Sequence, residues 1–219
     1  MRVDVKGAII SSEDAWIYDF FGMDYVTPKN VTNAIAEARK KNETLDVYIN
    51  SGGGVVSAGA EIYEELRSYG KVKIHVIQAC SAASVIMCAG KSEISPVGMV
   101  MIHNVHTKAS GDNRDLQHAS DVLKTMDRTV AAAYAEKTKT SVENWLELMA
   151  SETWLTAEQA VNYKLVDEIS KPASNGNIPI AVASSEELIP ENIVNSMRKK
   201  RMRARAQLEY MKLKNGGKN

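Results

Sequence analysis

Residues 45–70 read LDVYINSGGGVVSAGAEIYEELRSYG, and this stretch decides the fold class. Positions 45–49 form a short β-rich run that ends in Asn50-Ser51-Gly52-Gly53-Gly54. A helix is predicted over 58–69, where Ile62 and Leu66 lie four residues apart on one face and Gly70 stops the chain from continuing. Residues 72–90, VKIHVIQACSAASVIMCAG, repeat the plan with a strand over 72–77 and a small-residue helix over 82–89, ended by Gly90. Two strand-turn-helix units in succession imply a sheet with helices packed on it.

Working outward, 3–10 and 16–20 carry strand-like alternations, with Ser12 and Glu13 as turn material between them. Pro28 opens a helix where its missing N–H is harmless, and Val31, Ile35 and Ala38 fall on one face. A strand over 99–102 precedes a polar loop, 104–112. The longest helical pattern, 115–137, spaces Leu116, Val122, Leu123, Met126 and Val130 along one face. Two shorter helices are predicted at 142–150 and 157–163. The class is α/β. One domain is expected over 1–170, a linker over 171–190 and a basic tail over 191–219, partly helical or disordered.

Composition narrows the function. Of 219 residues, 44% are hydrophobic and 25% charged, which excludes wholesale disorder and a fibrous chain. No apolar run approaches the roughly 18–20 residues of a membrane span, so no membrane contact is expected. The opening MRVDVKGAIISSEDAW carries acids where a signal peptide keeps an apolar stretch. Cys80 and Cys88 are the only cysteines, too few for a disulfide framework or a four-cysteine zinc site. A cytoplasmic setting is therefore expected. Net charge is zero, yet Asn195 to Asn219 holds nine Lys/Arg against Glu209 alone. That leaves +8 on the tail and −8 on the body; such a tail is either a solvated end or a contact for nucleic acid or an acidic partner.

Three places carry chemistry. The glycine turn 52–54 lets another backbone or a ligand approach, but it lacks the spacing of a dinucleotide site and the Lys-Ser/Thr of a P-loop. Ser81, set between Cys80 and Ala82 at a strand-to-helix junction, has the layout of a nucleophile elbow, although alanines replace its usual glycines. Helix capping by Ser81 or Ser84 is the plainer alternative. His103 ends a strand at a loop and is placed to act as a general base; His106 competes, while His75 and His118 read as structural. Four scattered histidines without H-E-x-x-H give no metal site.

In order along the chain, 49–54 (INSGGG), 79–84 (ACSAAS) with Ala89-Gly90, 101–103 (MIH), 154–160 (WLTAEQA) and 165–169 (LVDEI) resemble the blocks of Clp protease proteolytic subunits, over roughly 1–170. The match is closest to the phage and prophage branch, similar to head maturation proteases. The resemblance implies a ClpP/crotonase-like spiral of βαβ units with a projecting handle helix, and a serine endopeptidase. It places Ser81 as nucleophile, His103 as base, Gly53 and Ala82 as backbone oxyanion donors, and Glu152 where the housekeeping branch keeps an Asp. Glu152 departs from the pattern, as do Gly52 for the usual Pro and Lys164 for a Gly. Asp112 and Asp115 are alternative acids.

The resemblance further implies protein or peptide substrates and a homo-oligomeric ring, heptameric and stacked in pairs as a tetradecamer. No cofactor is needed for hydrolysis, and ATP enters only through an AAA+ unfoldase. Phage relatives act on capsid or scaffold proteins without one. Two other classes compete: a crotonase-like acyl-CoA enzyme, which needs no serine nucleophile, and an assembly protein with a degenerate site.

Overall fold

The computed structural model describes residues 1–171 and 188–216, with side chains as far as 207. The linker expected over 171–190 therefore lies mostly outside the described residues. Elements follow in the order β1 (Arg2–Ile9), α1 (Ala15–Phe21), β2 (Tyr25–Val26), α2 (Pro28–Lys41), β3 (Leu45–Gly54), α3 (Val56–Tyr69), β4 (Val72–Cys80), α4 (Ala82–Ile86), a 3₁₀ turn (Met87–Ala89), β5 (Lys91–Ile102), α5 (Asn113–Thr138), α6 (Val142–Ala150), β6 (Thr153–Thr156), α7 (Ala157–Asn162), β7 (Glu168–Ile169) and α8 (Glu191–Gly216).

Among the described residues the sheet runs β2-β1-β3-β4-β5-β6, with β7 also on β5. All pairs are parallel except β5–β6. Strict alternation in β3 explains the layering: Leu45, Val47, Ile49 and Ser51 are buried, while Asp46, Tyr48 and Asn50 are half-exposed. The buried face packs with residues of α2, α3 and α4, including Val31, Ile35, Ile62, Leu66 and Ile86, into one core. On the other face His75 lies between Glu93 (Nδ1, 2.8 Å) and Asp46 (Nε2, 3.0 Å) and stacks on Tyr48. That is a structural setting, as its place in a strand predicts.

Three expectations change. The 16–20 segment is helical, not a strand: Ile17 and Tyr18 are buried together and Gly22 caps the turn at φ 63°. The 99–102 strand is the end of a longer one, β5, which swells around Pro96 and Gly98 so that Ile94 pairs with Val76 and Met99 with Gln78. The short antiparallel β6, which overlaps the start of the block 154–160, was not expected and precedes the predicted helix.

The first half of α5 stands off the body. Leu116 and Val122 are exposed, whereas Val130, Ala131 and Tyr134 in the second half are buried. Twenty-six residues span about 39 Å at 1.5 Å per residue, so roughly half the helix is free to project.

The tail is not free of the body. Val194 and Met197 of α8 pack with Ile10, Ile17 and Tyr18, and Ile189 N–H donates to the Tyr18 hydroxyl (3.3 Å). Arg198 holds Asp14 through two bonds of 2.7 Å, and the Arg201 guanidinium lies over the Trp16 ring. Asp14 stands at the N-cap of α1 without capping it, and its carboxylate is given to Arg198. Arg198→Ala should therefore lower stability by about 1–2 kcal/mol: Asp14 is buried, but the Arg198 side chain is 42% exposed and partly screened. Chemical denaturation beside Lys199→Ala, which should be neutral, measures this.

Candidate active site

Ser81 follows β4 and precedes α4, and its backbone is strained. Its φ of 54° and ψ of −126° are rare for a residue with a side chain, a conformation costing of order 1–3 kcal/mol. Two bonds supply the restraint: Ser81 N–H donates to Met101 O of β5 (2.9 Å), and Ser84 N–H of α4 returns to Ser81 O (2.9 Å). Small neighbours make the sharp turn possible. Ala82 and Ala83 are buried, and Gly59 of α3 approaches so closely that a Cβ there would lie 3.0 Å from that of Ala82. Ser84 is no rival nucleophile: it is fully buried, donating to Ser81 O (2.6 Å) and sharing a hydrogen bond with the Tyr134 hydroxyl. Ser81 makes no side-chain cap bond to the helix.

Its hydroxyl instead meets histidine. His103 Nε2 lies 2.8 Å from Ser81 Oγ, within the reach a general base requires. β5 carries His103 just past its last residue, adjacent to the end of β4 in the sheet. Burial holds the His103 pKa below its ordinary 6.5, and His106, with ring centroids 5.2 Å apart, pushes in the same direction. Glu152 and Asp127 oppose both. A base held low is neutral, and ready to accept a proton, at pH 7.

The acids are arranged differently from expectation. Glu152 sits on a turn at φ 45°, exposed, and its carboxylate accepts the Trp154 indole N–H (3.2 Å). Among the described residues no hydrogen bond joins it to His103; its pull is through charge. Asp112 and Asp115 are occupied in the capping box of α5 and exposed. Asp127 was not among the candidates: it is buried in α5 and accepts Val105 N–H (2.6 Å), which pins the chain two residues beyond His103. Its sequence signal is an Asp one turn from Leu123 and Val130, on the face that should be apolar.

Opposing influences make a signed prediction. His106→Ala removes a lowering influence, so the acid limb of any pH–rate profile should move to higher pH. Glu152→Gln removes a raising one, so the limb should move to lower pH. Profiles of kcat/KM for the two variants check the pair.

Beside Ser81 lies the glycine turn. A Cβ built on Gly53 (φ 103°) would come within 2.6 Å of Ser81 Cβ and 3.1 Å of Ala82 N, so glycine keeps open the space before the Ala82 N–H. The Gly53 N–H, expected to face an oxyanion, donates instead to Ser51 Oγ (3.0 Å). Pairing of Gly54 with Ile9, closed by Val55 N–H to Ile9 O (2.8 Å), leaves the Gly54 N–H on the side away from β1.

A comparison with protein-family models matches residues 23–173 to the Clp protease family. The chain belongs to the Clp protease family. Its mixed α/β sheet with flanking helices is the ClpP-like fold, and members of the family are peptidases that form oligomeric rings. Asp167, in the last block of the resemblance, accepts Ser92 N–H (2.7 Å) and Lys137 Nζ (2.6 Å), closing the Clp protease body onto β5. Both cysteines are free and buried. Among the described residues no group of His, Cys, Asp or Glu is arranged to hold a metal, and no helix is long and apolar enough to cross a membrane.

Proposed function

We propose that this chain is a serine endopeptidase in which Ser81 attacks a peptide carbonyl and His103 takes its proton. The observation that carries this reading is the 2.8 Å contact of His103 Nε2 with Ser81 Oγ on a strained elbow. Attack places negative charge on the carbonyl oxygen, and Ala82 N–H, at the start of α4, is positioned to receive it. Gly54 N–H is the second donor, and Gly53 contributes clearance. His103 then protonates the leaving amine, and water, deprotonated by the same histidine, hydrolyses the acyl-enzyme. Glu152 and Asp127 favour the imidazolium electrostatically. The hydrolysis uses no cofactor, and ATP enters only where an unfoldase feeds the ring.

Assembly completes the reading. The exposed apolar residues Leu116 and Val122 on the free half of α5 suit packing against another copy, as in rings stacked in pairs. Sequence likeness to head maturation proteases supports capsid or scaffold proteins as substrates, in the cytoplasm of an infected cell. Lys199, Lys200 and Arg203 are exposed on α8, available to nucleic acid or an acidic partner.

A fluorophosphonate separates the alternatives. Covalent labelling of Ser81, located by peptide mass mapping, supports the peptidase. An unlabelled, well-assembled protein favours an assembly role or crotonase-like chemistry, which needs no serine nucleophile.

A further inference from the structure

Ser51 is the last position with a side chain on the buried face of β3 and is 2% exposed. Its hydroxyl donates to Gly7 O (2.6 Å) and accepts Gly53 N–H (3.0 Å), joining two segments of irregular backbone. Gly7 (φ 72°) sits where the β1–β3 register shifts, between Lys6 and Ala8. A Cβ on Gly7 would lie 2.1 Å from Asp24 O, so this bulge is itself fixed by its neighbour. A serine has one proton to give, so the polarity of the relay is set: the hydroxyl donates to the Gly7 carbonyl and accepts the Gly53 N–H. Three consecutive glycines have little restraint of their own. We infer that Ser51 is the positioning residue of the oxyanion turn, turning the Gly53 N–H inward so that the next one, Gly54, faces the reacting carbonyl.

The inference rests on the serine-peptidase reading, and one experiment tells their failures apart. Full-length wild type and Ser51→Ala are titrated with a fluorophosphonate, and kinetics are expressed per labelled site. The expected result is a kcat lower by about 10- to 100-fold with KM within twofold, less than the loss on the order of 10² to 10³ for deleting a donor. A peptide boronate should weaken in proportion to kcat, while the pH limb set by His103 stays in place. If Ser51→Ala keeps kcat per labelled site and boronate affinity within twofold of wild type, the positioning role is overturned alone. If wild type does not label at Ser81, the peptidase reading falls and takes this role with it. Should Ser51→Ala fail to fold, hydrogen exchange on wild type decides: the Gly53 amide should be protected, and rapid exchange there overturns the inference.

Discussion

Ser81→Ala should abolish peptide hydrolysis while leaving fold and assembly intact. Among the described residues the hydroxyl bonds to no group except His103 Nε2, so its removal leaves no other buried partner unpaired. Relief of nothing but the reaction is expected, because the φ of 54° belongs to the backbone and persists in alanine. A nucleophile and its base act as a unit, so the loss in kcat can reach the order of 10⁶, and His103→Ala should fall nearly as far. His106→Ala should keep most of the turnover, since that ring touches His103 and not the serine. Steady-state kinetics with a fluorogenic peptide, beside size-exclusion profiles, check all three. Substantial activity in Ser81→Ala would remove the nucleophile from this elbow altogether, as Ser84 is sealed behind Tyr134.

Gly53→Ala is the second large effect. The added methyl would meet Ser81 Cβ at 2.6 Å and Cys80 O at 2.7 Å, both belonging to the rigid junction of β4 and α4. Neither is the end of a flexible side chain, so the turn or the elbow must move. The φ of 103° adds strain of order 1–3 kcal/mol for any side chain. The methyl would also lie 3.1 Å from Ala82 N, in the space an oxyanion would occupy. A fall in kcat on the order of 10² to 10³ is expected, as for loss of an oxyanion donor, with a lowered melting temperature. Gly22→Ala is the control: it also has positive φ, but among the described residues nothing beyond its chain neighbours lies within 4 Å of the added atom. It should cost stability and leave kcat per labelled site unchanged.

The core of this site was legible because its signals are local. Alternation in 45–49 and 72–77, the small residues around Ser81 and the strand before His103 are each set by neighbours in sequence. What escaped depends on distant partners. Trp16 to Phe20 alternates like a strand, but Ile17 and Tyr18 both find cover, part of it from Val194 and Met197 far along the chain. Four residues of β6 gain their identity only from pairing with β5. In Gly52-Gly53-Gly54 the composition announces a close approach, yet the direction of the Gly53 N–H depends on a hydroxyl bonded across to β1. Asp127 is visible as a misplaced charge, but its partner, a loop N–H, is not.

The clasp between Asp14 and Arg198 joins residues 184 positions apart. During synthesis Asp14, Ile17 and Tyr18 leave the ribosome long before the helix that covers them exists. At roughly 5–20 residues per second, that interval is on the order of 10–40 s. Throughout it a nascent chain presents an uncovered carboxylate and an apolar face beside β1, which favours late closure over early docking. Chains released early by premature termination would keep that face open, a ready mark for chaperone or protease recognition.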